Sequence, residues 1–160
     1  RSDCQDHGLG AGTTRGDLVI EGDAGDRVAA GMSGGTVRVR GSVRHEAGMS
    51  MSRGALLVSG NAGDRPGAPM PGAAKGMTGG EIIVSGSAGT DAAARTRRGL
   101  VVVGGTVGSS AARSMVAGTL VAFGGIGNEP GRGNKRGTII ALGGITVPHT
   151  YRYACTFEPS

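Results

Sequence analysis

The chain has 160 residues, a quarter of them Gly or Pro (34 and 6), with two Phe, two Tyr and no Trp. So glycine-rich a composition folds only if a strict repeat organises it. No Gly-X-Y triplet persists, which excludes collagen, and no apolar run approaches the ~20 residues of a membrane span. Seventeen Lys and Arg against twelve Asp and Glu leave +5, and fifteen of the seventeen are Arg, whose planar fork favours carboxylate and phosphate partners. Cys4 and Cys155 stand at opposite ends without metal-ligand spacing, so neither a disulfide framework nor a zinc site is expected, and a cytoplasmic location is. The absence of an initiator Met points to a processed or truncated chain.

In chain order, residues 1–14 read as an N-terminal lead-in or cap. From Arg15 a repeat takes over. A Gly opens each short apolar run at Gly16, Gly35, Gly54, Gly80, Gly99, Gly118 and Gly137, at spacings of 19, 19, 26, 19, 19 and 19, and a second Gly follows six residues after every anchor, from Gly22 to Gly143. The five residues between the two glycines are too few for a helix and suit a short β-branched strand, as in Leu18-Val19-Ile20 and Val101-Val102-Val103. One strand per repeat predicts strands stacked in parallel.

Within each strand, period-two geometry sends the second and fourth residues inward, the pairs running from Leu18/Ile20 through Leu56/Val58 and Val101/Val103 to Ile139/Ala141. The first residue is mostly polar and faces water. Eight residues after the anchor a second inward position recurs (Ala24, Val43, Ala62, Ala88, Val107, Ile126, Ile145), and thirteen after the first six anchors stand Ala29, Gly48, Gly67, Ala93, Ala112 and Gly131, all small. Three before the anchor stands Met32, Met51, Met77 or Met115, with Thr96 and Asn134 as exceptions; Met fills an irregular corner. These features predict an all-β chain, a right-handed parallel β-helix of about seven 19-residue coils over residues 15–146, on the order of 30 Å tall at the spacing of paired strands. A seven-residue insertion contained in 68–76 (APMPGAAKG), stiffened by Pro69 and Pro71, leaves one corner, and 147–160 form a C-terminal tail.

Signatures of an independent catalytic centre are missing. The third Gly of a G-x-G-x-x-G begun at Gly8 falls on Thr13, and no GK[ST] exists. His7, His45 and His149 are far apart, and counted in the repeat no two share a column. Asp17, Asp23 and Glu81 have no recurring carboxylate partner. No catalytic residue, metal or cofactor is therefore expected on this chain alone.

The surface columns say more. Eleven residues after the anchors stand Arg27, Glu46, Arg65, Asp91, Ser110 and Glu129, opposite signs on successive coils that predict structural pairing. Immediately before the anchors stand Arg15, Arg53, Arg98 and Arg136, one corner on every second coil, a stripe open either to solvent or to an anionic partner. The outward third strand residue reads Val19, Arg38, Leu57, Ile83, Val102, Val121 and Ile140. An apolar column of that length predicts burial against a partner protein, or cover by the chain's own termini.

The segments GMSGGTVRVRG (31–41), GMTGGEIIVSGSAG (76–89) and RGTIIALGG (136–144) resemble the β-helical subunit of formylmethanofuran dehydrogenase and of the related bacterial formyltransferase/hydrolase complex. They also resemble the GXGXG-type β-helix at the C-terminus of the glutamate synthase large subunit. The resemblance covers Arg15 to Phe157, and the insertion and the tail VPHTYRYACTF (147–157) favour the formylmethanofuran dehydrogenase family over glutamate synthase. It implies a non-catalytic scaffold for larger amidohydrolase-like and formyltransferase subunits, in a complex that moves formyl groups between tetrahydromethanopterin and a methanofuran-type carrier. Leu57, Ile83, Val102, Val121 and Ile140 are then the expected partner interface, and Arg15, Arg53, Arg98 and Arg136 the expected contacts of an acidic carrier arm. The alternatives are a glutamate synthase-like linking domain and, from GRGNKRG (131–137), a nucleic-acid binder. The latter lacks an aromatic stacking platform, so neither nucleic acid nor membrane is expected as a partner.

Overall fold

The computed structural model describes residues 7–149 and Tyr151; Cys4, Cys155 and the rest of the tail motif lie outside the described residues. Seven strands follow one another: β1 (Asp17–Ile20), β2 (Ser33–Val39), β3 (Arg53–Val58), β4 (Thr78–Val84), β5 (Arg98–Val103), β6 (Thr119–Ala122) and β7 (Thr138–Ala141). Each pairs in parallel with the next in the order β1-β2-β3-β4-β5-β6-β7. The register joins Leu18, Val37, Leu56, Ile82, Val101, Leu120 and Ile139 in one line. A second wall is tied by single parallel bridges from Ala24 through Val43, Ala62, Ala88, Val107 and Ile126 to Ile145. The chain is thus a β-solenoid of about seven turns, as the period predicts.

From Gly41 to Gly143 the glycine six residues after the anchor is required by packing. A Cβ at Gly41, Gly86, Gly124 or Gly143 would lie 2.5–2.7 Å from backbone atoms of the glycine one turn below. Their amides meanwhile run up the same edge, Gly60 to the Gly41 carbonyl at 2.8 Å and Gly105 to Gly86 at 2.8 Å. At most anchors conformation is the reason, as at Gly54 (φ 90°) and Gly99 (φ 123°). The third wall differs from a simple small-residue turn. Among the described residues twelve other than glycine stand at φ between 49° and 65°, including Arg27, Glu46 and Arg65 eleven residues after their anchors and Ala29, Ala93 and Ala112 thirteen after. Such residues rarely adopt this region. Here amides alternating between the turn above and the turn below hold it, as Arg27 donates to the His45 carbonyl at 2.9 Å and Ala29 to Leu9 at 2.8 Å.

The core is one column down the axis. Val37, Leu56, Ile82, Val101 and Leu120 are fully buried, as are Met32, Met51, Met77 and Met115. Each large side chain contributes about 1.5–3 kcal/mol only because a neighbouring turn covers it. The polar residues at the Met corner are satisfied: the Thr13 hydroxyl donates to the Gly10 carbonyl at 2.7 Å, the buried Thr96 hydroxyl to the Ala93 carbonyl at 2.9 Å, and Asn134 closes a loop with Gly137 through two 2.8 Å bonds.

Residues 7–14 are laid in register below the first turn, with Gly8 donating to the Asp26 carbonyl and Gly12 to Ala30, both at 2.8 Å. At the other end the Tyr151 hydroxyl donates to the Gly131 carbonyl at 2.7 Å. The insertion folds back over the earlier turns. Ser50 Oγ accepts from the Met70 amide at 3.0 Å and donates to the Lys75 carbonyl at 3.2 Å, closing both ends of the excursion.

Candidate functional site

The in-register lead-in corrects the reading of the histidines. His7 lies two repeats before His45, and both stand in the column ten residues after the anchor, alternating with Asp26 and Asp64. Repeats counted from the first anchor hide the turn that precedes it. Along this column each side chain accepts the amide of the residue one turn on: Asp26 N donates to His7 Nδ1 at 3.1 Å, His45 N to Asp26 Oδ1 at 3.0 Å, Asp64 N to His45 Nδ1 at 3.0 Å and Thr90 N to Asp64 Oδ1 at 2.8 Å. The same Nδ1 atoms also face a carboxylate on the next turn, His7 at 3.4 Å from Asp26 Oδ2 and His45 at 3.7 Å from Asp64 Oδ2. The His45 amide holds the Asp26 carboxyl below its ordinary range; burial opposes it, and the nearby His7, Arg44 and His45 side chains add to the lowering. A parallel ladder climbs from Asp23 through Ser42, Asn61 and Ser87 to Thr106. These side chains satisfy the backbone at the corners where no strand does.

Beside the histidine column, the charge column pairs as expected over its first three turns. Glu46, nearly buried, receives Arg27 Nε at 2.8 Å and Arg65 Nη2 from the turn on either side. The alternation then stops, for Asp91 takes Arg113 Nε at 2.8 Å and Glu129 takes Arg132 at 3.2 Å. Among the described residues no group of three or more His, Cys, Asp or Glu is placed to hold a metal ion, and no helix is long and apolar enough to cross a membrane.

Arg15, Arg53, Arg98 and Arg136 are all exposed at one corner, on alternate turns. The intervening turns carry Gly34, Gly79 and Ala117 there. A Cβ at Gly34 would strike the Thr14 carbonyl oxygen and one at Gly79 the Ser52 carbonyl oxygen, because the strands bulge at both places. The corner therefore spaces its guanidinium groups two turns apart, roughly 10 Å at the strand spacing, about one Debye length at 0.1 M salt. Among the described residues none of the four is in an ion pair.

On the outer face Leu57, Ile83, Val102 and Val121 are half-buried by their own neighbours, while Val19 and Ile140 are exposed and Arg38 interrupts the line. The structure adds two residues that the sequence pattern did not single out. Phe123 is 55% and Leu142 65% exposed, in the outward position five after the anchor. Earlier turns hold Glu21, Arg40, Ser59, Ser85 and Gly104 there, so the column as a whole reads as polar. With Val102, Val121 and Ile140 the two gather the apolar surface onto the last three turns.

A search of solved structures finds this architecture in a crystal structure of the formyltransferase/hydrolase complex (FhcABCD) from Methylorubrum extorquens in complex with methylofuran, with a TM-score of 0.83 and 35% identity over 94% of this chain. The chain fits the β-helical type of subunit in that complex. It spans 56% of the length of the chain it matches. No protein-family model and no curated protein matches the sequence.

Proposed function

We propose that this chain is a non-catalytic scaffold subunit of a formyltransferase/hydrolase complex. It would hold a larger amidohydrolase-like subunit and a formyltransferase subunit in a cytoplasmic assembly that moves formyl groups between tetrahydromethanopterin and a methanofuran-type carrier. The observation that carries the reading is the 35% identity maintained over 94% of the chain with a chain of such a complex. The solenoid supports it physically, since a rigid stack with an apolar outer face is built to present a fixed surface rather than to close around a substrate. Leu57, Ile83, Val102, Val121 and Ile140, extended by Phe123 and Leu142, form the partner interface in this reading.

Arg15, Arg53, Arg98 and Arg136 take a second role in the same reading. Unpaired and evenly spaced, they attract the carboxylates of an acidic carrier arm without fixing it, so the arm remains free to travel. Co-expression with the neighbouring subunits tests the scaffold: the parent chain co-purifies with them, and Leu57→Glu plus Val102→Glu abolishes co-purification while leaving the isolated chain folded. Full assembly of that variant refutes the interface. Changing all four arginines to Gln removes the salt dependence of carrier transfer; a variant with parental rate and parental salt dependence refutes the arm site.

A further inference from the structure

A cleft of about 270 Å³ lies between the proline insertion and the turns of β4 and β5. Its walls include Pro69, Met70 and Pro71 from the insertion and Ala94 from the turn beside it, and three guanidinium groups, those of Arg65, Arg95 and Arg113, border it with Asp91. The charges do not balance. Arg65 turns toward Glu46, and Arg113 uses only Nε on Asp91, at 2.8 Å, leaving its terminal nitrogens uncommitted. Arg95 is exposed and has no carboxylate partner among the described residues.

Arg95 is also out of place by the logic of its own column. Four residues before the anchors the chain carries Gly12, Gly31, Ser50, Gly76, Arg95, Ser114 and Gly133, so it alone brings a long side chain to that corner. It does so at φ 52°, a left-handed conformation that costs a non-glycine residue stability. Its backbone is held from both sides: its amide donates to the Arg113 carbonyl at 2.8 Å, and its carbonyl accepts the Gly76 amide, at the end of the insertion, at 3.0 Å. Those two bonds set the Arg95 and Arg113 side chains on adjacent turns facing the insertion, which Ser50 pins at both ends.

We propose that this cleft binds a small oxyanion, a carboxylate or a phosphate, carried on a short apolar stem. The Arg95 and Arg113 guanidinium groups engage the oxygens, since their planar forks match either anion, and Met70 with the two prolines packs the stem. The site is separate from the arginine corner and does not rest on the scaffold reading. The neighbouring cleft offers a contrast, because its three carboxylates, Asp26, Glu46 and Asp64, outnumber its two guanidinium groups, Arg27 and Arg65, both of which Glu46 engages.

The test is titration of the full chain at low ionic strength with inorganic phosphate in one arm and butyrate in the other, followed by amide chemical shifts. At least one probe binds saturably, with shifts at Arg95, Ala94 and the insertion, and the stronger arm identifies the anion class. Arg95→Gln weakens that binding at least tenfold, whereas Arg97→Gln, exposed two residues away and outside the cleft, leaves it within twofold. Arg95→Gly loses binding equally while raising the thermal midpoint, since glycine accepts the left-handed turn; this separates a ligand role from a structural one. Ser50→Ala retains every charge and still weakens binding by releasing the insertion. Absence of saturable binding in both arms overturns the proposal, as does equal weakening by Arg97→Gln, which marks diffuse attraction to a basic surface.

Discussion

Ile82 and Ile139 occupy the same inward position three turns apart, in different surroundings. Ile82 is fully buried between the turns of β3 and β5, whereas Ile139 belongs to the last strand and is only partly buried. Replacing each by Ala removes the same atoms. At Ile82 the lost transfer energy, about 0.8 kcal/mol for each of three carbons, is joined by a cavity that the stacked backbones cannot collapse into, for a total of about 4 kcal/mol. At Ile139, with cover from one side, about 1.5 kcal/mol is expected. The difference, near 2.5 kcal/mol, corresponds to a urea midpoint lower by roughly 1 M in Ile82→Ala than in Ile139→Ala, taking a slope of about 2 kcal/mol/M. Urea unfolding of the two variants, followed by circular dichroism, measures it. Equal losses would refute the claim that burial here comes from the turn above and the turn below, and with it the stacked core.

Gly105→Val places side-chain carbons against the Gly86 backbone, whose carbonyl oxygen lies 3.1 Å from the position of a Cβ; thermal unfolding is expected to begin several degrees earlier, and an unchanged transition counts against the glycine edge. Ser114→Gly relaxes an exposed residue at φ 55°, for a gain of about 0.5–1 kcal/mol after the entropy cost of glycine, read as a higher urea midpoint. The lowered Asp26 carboxyl adds stability that is fully present above its unfolded pKa of about 4 and is lost as pH falls through its folded value. Asp26→Asn, whose side-chain oxygen can still accept the His45 amide, should show a shallower loss of stability between about pH 5 and 3 than the parent; identical acid profiles would remove Asp26 from the account.

Much of the architecture was legible in the residues because a solenoid brings each residue next to the one a repeat away. A contact that recurs at a separation of nineteen leaves a period in the sequence, and the two glycines and the alternating apolar pair mark the edge and the inner face of every turn. The charge column followed by the same logic from Arg27 to Arg65. Counting failed where the chain left the count. His7 precedes the first anchor, so only its hydrogen bond to the Asp26 amide placed it in the column of His45.

Contacts between columns had no such trace. Asp91 meets Arg113 and the insertion returns to Ser50 because side-chain reach and corner geometry bring different repeat positions together. The left-handed conformation of Arg95 is likewise imposed by amides from the neighbouring turn and the insertion, against the local preference of the residue. Phe123 and Leu142 join the apolar outer face because no other part of the described chain packs over the last turns at that position. Repetition along the chain thus determined the stack and its inner and outer faces, whereas lateral packing, which repeats nothing, decided the clefts and the shape of the surface.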